Sequence, residues 1–291
     1  MNYVIKNSQL CATVSDLGGE LLSLKKGETE YIWNGDAKYW SGRSPLLFPY
    51  CCRLFGGHYT YRGEKFEGAN HGFIRRSLLS VTAVSENSIT LTLRANEDTK
   101  KLYPFDFEYS ITYTLEGDSL VCDTRVCNLG EAVLPYCNGM HPGFNVPLDT
   151  DTAFEDWYME FSEATSPKRI LFSEGKFCIG EEDFAPSLVG GTRLPLRHSL
   201  FDDDAIFLTG AADSVTLRCD KSEKYVHVSY PGTPVIGFWH MPLTDAPYVC
   251  IEPLCGLPST EGIVDDIEDK KFAKHLGSGE SHTDTVVITV K

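Results

Sequence analysis

Apolar and polar positions alternate with a period of two over several stretches of this chain. Ile89, Leu91 and Leu93 share one face of 88–94, with Ser88, Thr90 and Thr92 on the other. Tyr109, Ile111, Tyr113 and Leu115 alternate in the same way with Ser110, Thr112 and Thr114. Successive side chains of a strand point to opposite faces, so this pattern predicts half-buried strands. Glu116-Gly117-Asp118 then turns the chain and 120–127 returns, which predicts a hairpin with a Gly-containing loop. Further strands are predicted at 10–15, 215–219, 225–230, 235–241, 248–252 and 285–290, all rich in Val, Tyr, Thr and Ile. Helical periodicity is scarce. It is best within 261–276, where Ile263, Ile267, Phe272 and Leu276 predict one apolar stripe. Many short strands with turns between them predict an all-β sandwich or barrel. No linker, internal repeat or change of composition divides the chain, so residues 1–291 are read as a single domain.

Composition narrows the function. The 291 residues hold 26 Lys and Arg against 41 Asp and Glu, a formal net charge of −15. That excess argues against nucleic-acid partners, whose phosphates are held mainly by clustered Lys and Arg. It argues equally against docking on anionic lipid. No apolar run approaches the roughly 20 residues that cross a bilayer. The start, Met1-Asn2-Tyr3-Val4-Ile5-Lys6, turns polar too early for a signal peptide. Ten Cys in such a chain, with no CxxC pair, suggest buried small apolar thiols in a reducing, cytoplasmic setting. There is no GxxxxGK[ST] or GxGxxG phosphate loop, no HExxH and no GxSxG, so the usual nucleotide, zinc-protease and serine-hydrolase chemistries lack support.

What remains is a set of isolated polar residues among aromatics, Pro and Gly. Ser44–Leu54 places Arg53, a rigid fork of donors suited to oxygen ligands, after a mostly apolar run. Asn70–Arg75 places His71 before Gly72, where a residue without Cβ lets the backbone approach a bound group. Asn138–Asn145 sets His141 between Gly, Pro and aromatics, in a loop rather than on a helix face, and His is the commonest acid or base near neutral pH. Tyr248–Leu254 ends an apolar strand on Glu252, a carboxylate costly to bury without a partner or a task, and the following Pro253 should stop the ladder. Asp202, Asp203 and Asp204 precede Phe207, with Asp204 preferred on spacing. Phe238-Trp239-His240 offers aromatic surface suited either to the core or to the C–H face of a sugar.

Taken in order, these segments resemble the galactose mutarotase (aldose 1-epimerase) family, in its shorter bacterial branch. The resemblance covers essentially the whole chain. It runs from Leu17-Gly18-Gly19-Glu20 and Tyr31-Ile32-Trp33 through Leu47-Phe48-Pro49, Arg53-Leu54, His71-Gly72-Phe73-Ile74-Arg75 and His141-Pro142-Gly143-Phe144-Asn145. It continues through Asp204-Ala205-Ile206-Phe207 and Ile251-Glu252-Pro253 to Leu276-Gly277-Ser278-Gly279-Glu280. It implies a large antiparallel β-supersandwich with few short helices, no metal or cofactor, and interconversion of the α and β anomers of free aldoses. It also implies Glu252 as general base, His141 as general acid, Arg53 and His71 as ligands of sugar oxygens, and Asp204 as a hydroxyl ligand. The sequence departs from the best-known members at Met140-His141-Pro142, where they carry an Asn-His-Ser-type segment. It departs again at Cys51-Cys52, where a small residue and Gly are frequent.

The expected partner is a small-molecule sugar, and the expected state is a monomer or homodimer. Mutual attraction between Glu252 and His141 is expected to favour their charged forms. Two alternatives accompany the mutarotase reading. One is a hexose-6-phosphate mutarotase, with Arg75 and Arg76 beside His71 supplying the basic pocket. The other is a sugar-binding or regulatory protein of the same fold without turnover. The net acidity favours a neutral sugar over a phosphorylated one.

Overall fold

The computed structural model describes residues 1–291. Strands dominate, and every pairing within a sheet is antiparallel. The stretch 88–94 forms the strand Ser88–Arg94, and the hairpin pairs Phe107–Glu116 with Ser119–Asn128 across the two-residue loop Gly117-Asp118. Tyr109, Ile111 and Tyr113 lie opposite Leu93, Leu91 and Ile89 and are fully buried. On the other face Thr90 and Thr112, and Ser88 and Thr114, pair their hydroxyls at 2.9 Å, the cross-strand pairing that stabilises a sheet. The period-two pattern thus sorts each strand between core and water.

These strands belong to a nine-stranded sheet. Its order is Arg193–Pro195, Trp157–Phe161, Ser214–Cys219, Tyr225–Ser229, Ser281–Val290, Ser119–Asn128, Phe107–Glu116, Ser88–Arg94 and Ser80–Val84. An eight-stranded sheet runs Cys178–Asp183, Lys168–Phe172, Ile206–Thr209, Val235–Trp239, Tyr248–Leu254, Gly139–Met140 and Leu46–Leu47, with Gly143–Asn145 also on Tyr248–Leu254. A four-stranded sheet is built from the first 30 residues. The architecture is the antiparallel β-supersandwich expected. No helix is long and apolar enough to cross a membrane. All ten Cys are free thiols, most of them buried.

Two expectations fail. No helix forms in 261–276; only Lys274–Leu276 is regular there, and it is a strand. Ile263 is exposed while Ile267 and Leu276 are buried, so the four residues never share a face. Gly262 and Phe272 have positive φ, and Asp265 and Asp266 bind nearby groups: Asp265 takes Ser259 and Lys270, and Asp266 takes the Glu268 amide. Such short acidic side chains compete with helix hydrogen bonds. The one α-helix is Glu97–Leu102, where Asn96 accepts the Asp98 and Thr99 amides and Thr99 returns a hydroxyl acceptor to the Asn96 amide, a capping box.

The second failure concerns Pro253, which does not end its strand. The amides of Ile251 and Cys255 donate to Pro142 and Asn138, toward the Gly139–Asn145 side. The nitrogen of Pro253 points the same way. It faces Met140, so the ladder forgoes one bond there while the bonds of Ile251 and Cys255 on either side keep the strands paired.

The central strands of the eight-stranded sheet are buried on both faces, with different results. Ile206, Leu208, Ile236, Phe238, Val249 and Ile251 enter the main hydrophobic cluster, which extends from Ile5 to Val290. Their alternates split into two small clusters. Phe207, Val235 and Leu254 join Leu47, Cys51, Cys52, Cys137, Ile170 and Leu257, while Tyr248 and Cys250 join Trp33 and Ala246. Glu252 stands on this second face, outside both clusters.

Candidate active site

A cavity of about 290 Å³ opens on that second face, lined among others by Arg53, His71, His141, Asp204, Trp239 and Glu252. All six residues singled out in the sequence therefore meet in one place. Across the sheet Phe207 pairs with Gly237 and Gly237 with Glu252, while Trp239 pairs with Cys250. A Cβ on Gly237 would stand 2.7 Å from the Phe207 ring and 3.2 Å from the Glu252 Cβ. Glycine at this position leaves room for both neighbours.

His141 sits where the neighbouring strand breaks between Met140 and Gly143. Its amide donates to Pro45 O at 3.0 Å, and Pro142 O accepts the Ile251 amide at 3.1 Å. Met140 is buried toward the main core, and the break turns His141 into the cavity. There His141 Nε2 lies 3.2 Å from Glu252 Oε1, with residue exposures of 8% and 1%. The angle is not that of a hydrogen bond, and both Glu252 Oε1 and His141 Nδ1 are buried without a hydrogen-bond partner. Trp40 packs against the His141 ring at 5.0 Å, and Trp239 meets it nearly edge-on at 5.6 Å.

His71 stands across from His141, ring centres 5.7 Å apart and perpendicular. Its Nδ1 accepts the Cys52 amide at 3.1 Å, and its own amide donates to Cys52 O at 3.0 Å. The neutral ring therefore carries its proton on Nε2. Both His71 and Cys52 have positive φ, a strained backbone that clusters at working sites. Gly72 does not bring the backbone to a bound group as the sequence suggested. Its missing Cβ leaves space for Phe48 O, which would lie 2.0 Å from such an atom and which accepts the amides of Phe73 and Ile74.

Of the three acidic candidates it is Asp204 that lines the cavity. It has φ of 102°, and its Oδ1 accepts the Trp239 indole N–H at 2.9 Å. Asp203 instead offers its carbonyl to Lys176 Nζ at 2.6 Å. Arg53 is exposed at the rim, its carbonyl held by the Ser259 amide at 2.9 Å.

The electrostatics reverse one expectation. Burial, then the negative charge of Asp204, pushes the Glu252 carboxyl well above the usual carboxylate range. Burial, with the Arg75 guanidinium adding to it, holds His141 well below the usual imidazole range. His71 is lowered by burial and then by His141. Desolvation thus outweighs the mutual attraction and drives both groups toward their neutral forms.

This arrangement holds a buried carboxyl and a buried imidazole in contact at the floor of a sugar-sized cavity, ringed by aromatic faces and hydrogen-bond donors. The family model for aldose 1-epimerase matches residues 1–289. The chain belongs to the aldose 1-epimerase family. It is 36% identical over 278 residues to the plasmid-encoded protein LacX of Lactococcus lactis subsp. lactis, covering 93% of each chain. Among solved structures it is similar to a galactose mutarotase related enzyme from Lactobacillus acidophilus. The TM-score is 0.94 at 31% identity, over 100% of this chain and 97% of that one. It also superposes with a TM-score of 0.94 on a galactose mutarotase-like protein from Lactobacillus casei, at 27% identity over 100% of both chains.

Several cavity-lining residues escaped the sequence reading. Trp40, Phe172, Lys176 and Met241 line the cavity, and Arg75 entered only as a phosphate ligand. The pair Tyr39-Trp40 before Ser41-Gly42 is an aromatic signal in a polar stretch that pointed to Trp40. Nothing local marks Lys176, which arrives from a turn far along the chain.

Proposed function

We propose that the protein is an aldose 1-epimerase that interconverts the α and β anomers of a free hexose. The observation that carries the reading is the His141–Glu252 contact, buried at the cavity floor with one unpaired atom on each partner. Glu252 removes the proton of the anomeric hydroxyl and His141 protonates the ring oxygen. The ring opens, the C1–C2 bond turns, and closure on the other face returns both protons. A raised carboxyl is a stronger base once ionised, and a lowered imidazolium is a stronger acid once protonated. Burial therefore strengthens both groups while making the ionised tautomer scarcer. Arg53 and the Nε2–H of His71 donate to sugar oxygens, Asp204 accepts from a hydroxyl, and Trp239 and Trp40 offer flat faces to the ring.

Polarimetry tests this reading. Fresh α-glucose or α-galactose should change rotation faster in proportion to added protein, to the same final value as the uncatalysed reaction. Saturable sugar binding without acceleration would instead identify a binder.

A second reading has its own observation. Arg53, Arg75 and Lys176 all line the cavity, and none has a carboxylate within ion-pair distance. The net charge of −15 therefore does not describe the site, which is locally basic. That supports a sugar carrying an anionic group, the hexose-6-phosphate alternative. Anomerisation of glucose 6-phosphate faster than of glucose at equal concentration favours this second reading, and the reverse order favours the first.

A further inference from the structure

Cys250 is fully buried on the same strand face as Glu252, two residues away, and has no place in the proposed reaction. One donor atom each from His141, Cys250 and Glu252 lie within 4.8 Å of one another. The Glu252 Oε1 that stands 3.2 Å from His141 Nε2 is buried without a hydrogen-bond partner. An imidazole nitrogen, a thiol sulfur and a carboxylate oxygen make a mixed donor set of a kind that suits zinc rather than magnesium or calcium. We propose that His141, Cys250 and Glu252 form a binding site for a thiophilic divalent cation of the zinc class.

The geometry supports this. With metal–ligand distances of about 2.0–2.3 Å, donors around tetrahedral zinc stand roughly 3.3–3.8 Å apart. The 3.2 Å between His141 Nε2 and Glu252 Oε1 already suits a shared ion. With the sulfur within 4.8 Å of the other two donors, at most about 1 Å remains to be closed. His141 and Glu252 line the cavity, so an ion held between them is reached from it. A bound ion replaces the thiol proton and the proton shared by the pair. It also occupies the lone pairs that the proposed reaction needs. The site is thus an inhibitory one, in which metal and sugar exclude each other. The inhibition rests on the mutarotase reading, whereas the binding rests on the donors alone.

The test uses cobalt(II) and zinc(II) on the purified full-length protein, with Cys250→Ser and Cys250→Ala as parallel variants, the second preserving a small apolar side chain in the wall. Wild type should develop a thiolate-to-cobalt charge-transfer band that saturates at one equivalent and is displaced by zinc. Both variants should lack the band. Outer partners of a metal site alone are worth about 10–100-fold, so His141→Asn should weaken cobalt binding by at least about tenfold. The mutarotation rate of wild type should fall on adding zinc, and that of either Cys250 variant should start near the wild-type value and resist the metal. No band in wild type overturns the proposal. So does a band that survives in the Cys250 variants, because it would come from other thiols such as Cys51, Cys137 or Cys255. A protein without mutarotase activity that shows the Cys250-dependent band removes the functional reading and keeps the metal site.

Discussion

The two faces of the eight-stranded sheet are made by the same strands and alternate residue by residue, yet they do opposite things. On one face Ile236, Phe238, Val249 and Ile251 bury apolar surface in the main core. On the other, Trp239 and Glu252 line a cavity in which a carboxyl and an imidazole are held out of water. Burial stabilises on the first face. On the second it raises one pKa, lowers another and leaves polar atoms unpaired, which costs stability. The comparison teaches that folding energy and proposed chemistry are carried by neighbouring residues that can be perturbed separately.

The largest expected effect breaks the core face alone. Phe238→Ala removes a fully buried ring and should cost about 3–5 kcal/mol in denaturant unfolding. The mutarotation rate per folded molecule should stay within a few-fold of wild type. A loss of rate as large as that from a site residue would show that the faces are not separable.

A smaller effect sharpens the comparison through pH. His240 is fully buried on the core side of the Trp239 strand end. Its Nδ1–H donates to Met241 O at 2.7 Å, and its Nε2 faces His198 Nδ1 at 3.2 Å. Burial, and less so His198, holds its pKa down at about 4 against the upward pull of the Met241 carbonyl and Asp202. The unfolded chain takes up this proton near pH 6.5 and the folded chain only near 4. Its contribution is therefore complete above about pH 6.5 and is lost as pH falls toward 4, on the order of 3 kcal/mol in all. His71 and His141 add slopes of the same sign. Melting curves at pH 7 and pH 4.5 should show a smaller acid-induced drop for His240→Gln than for wild type; equal drops would contradict the assignment.

Gly237→Ala is the smallest of the three in stability. The added methyl must push the Phe207 ring or the Glu252 stem, at about 1–3 kcal/mol. Its effect on rate should be the greater signature, roughly tenfold or more, because misplacement of a reacting group by about 1 Å is that damaging. A variant with wild-type kinetics would show that Glu252 is not held in place by this row of residues.

Much of this was legible in the sequence, for physical reasons that differ between residues. The strand Ser88–Arg94 and the hairpin after Phe107 were readable because one buried and one solvated face leaves a period-two pattern. The candidate site was readable because polar residues such as His141 and Glu252 interrupt apolar, Pro- and Gly-rich segments that had no evident need of them. The absent helix at 261–276 was misread because spacing ignores side-chain competition from Asp265 and Asp266. Strand continuation through Pro253 depends on the flanking bonds from Ile251 and Cys255 to Pro142 and Asn138, distant partners that no local window contains. Lys176 and Met241 reach the cavity through the fold alone. The electrostatic direction was misjudged because attraction between the pair was visible in the residue types, whereas burial was not.

The central claim is that the buried Glu252–His141 pair carries the chemistry while the opposite face carries the stability. Optical rotation of fresh α-glucose or α-galactose, followed with equal folded amounts of wild type, Glu252→Gln and His141→Asn, tests it most directly. The account predicts that both variants melt no lower than wild type, since each replaces a buried ionisable group, and that each loses at least about 100-fold in rate. Wild-type rates from both folded variants would contradict it.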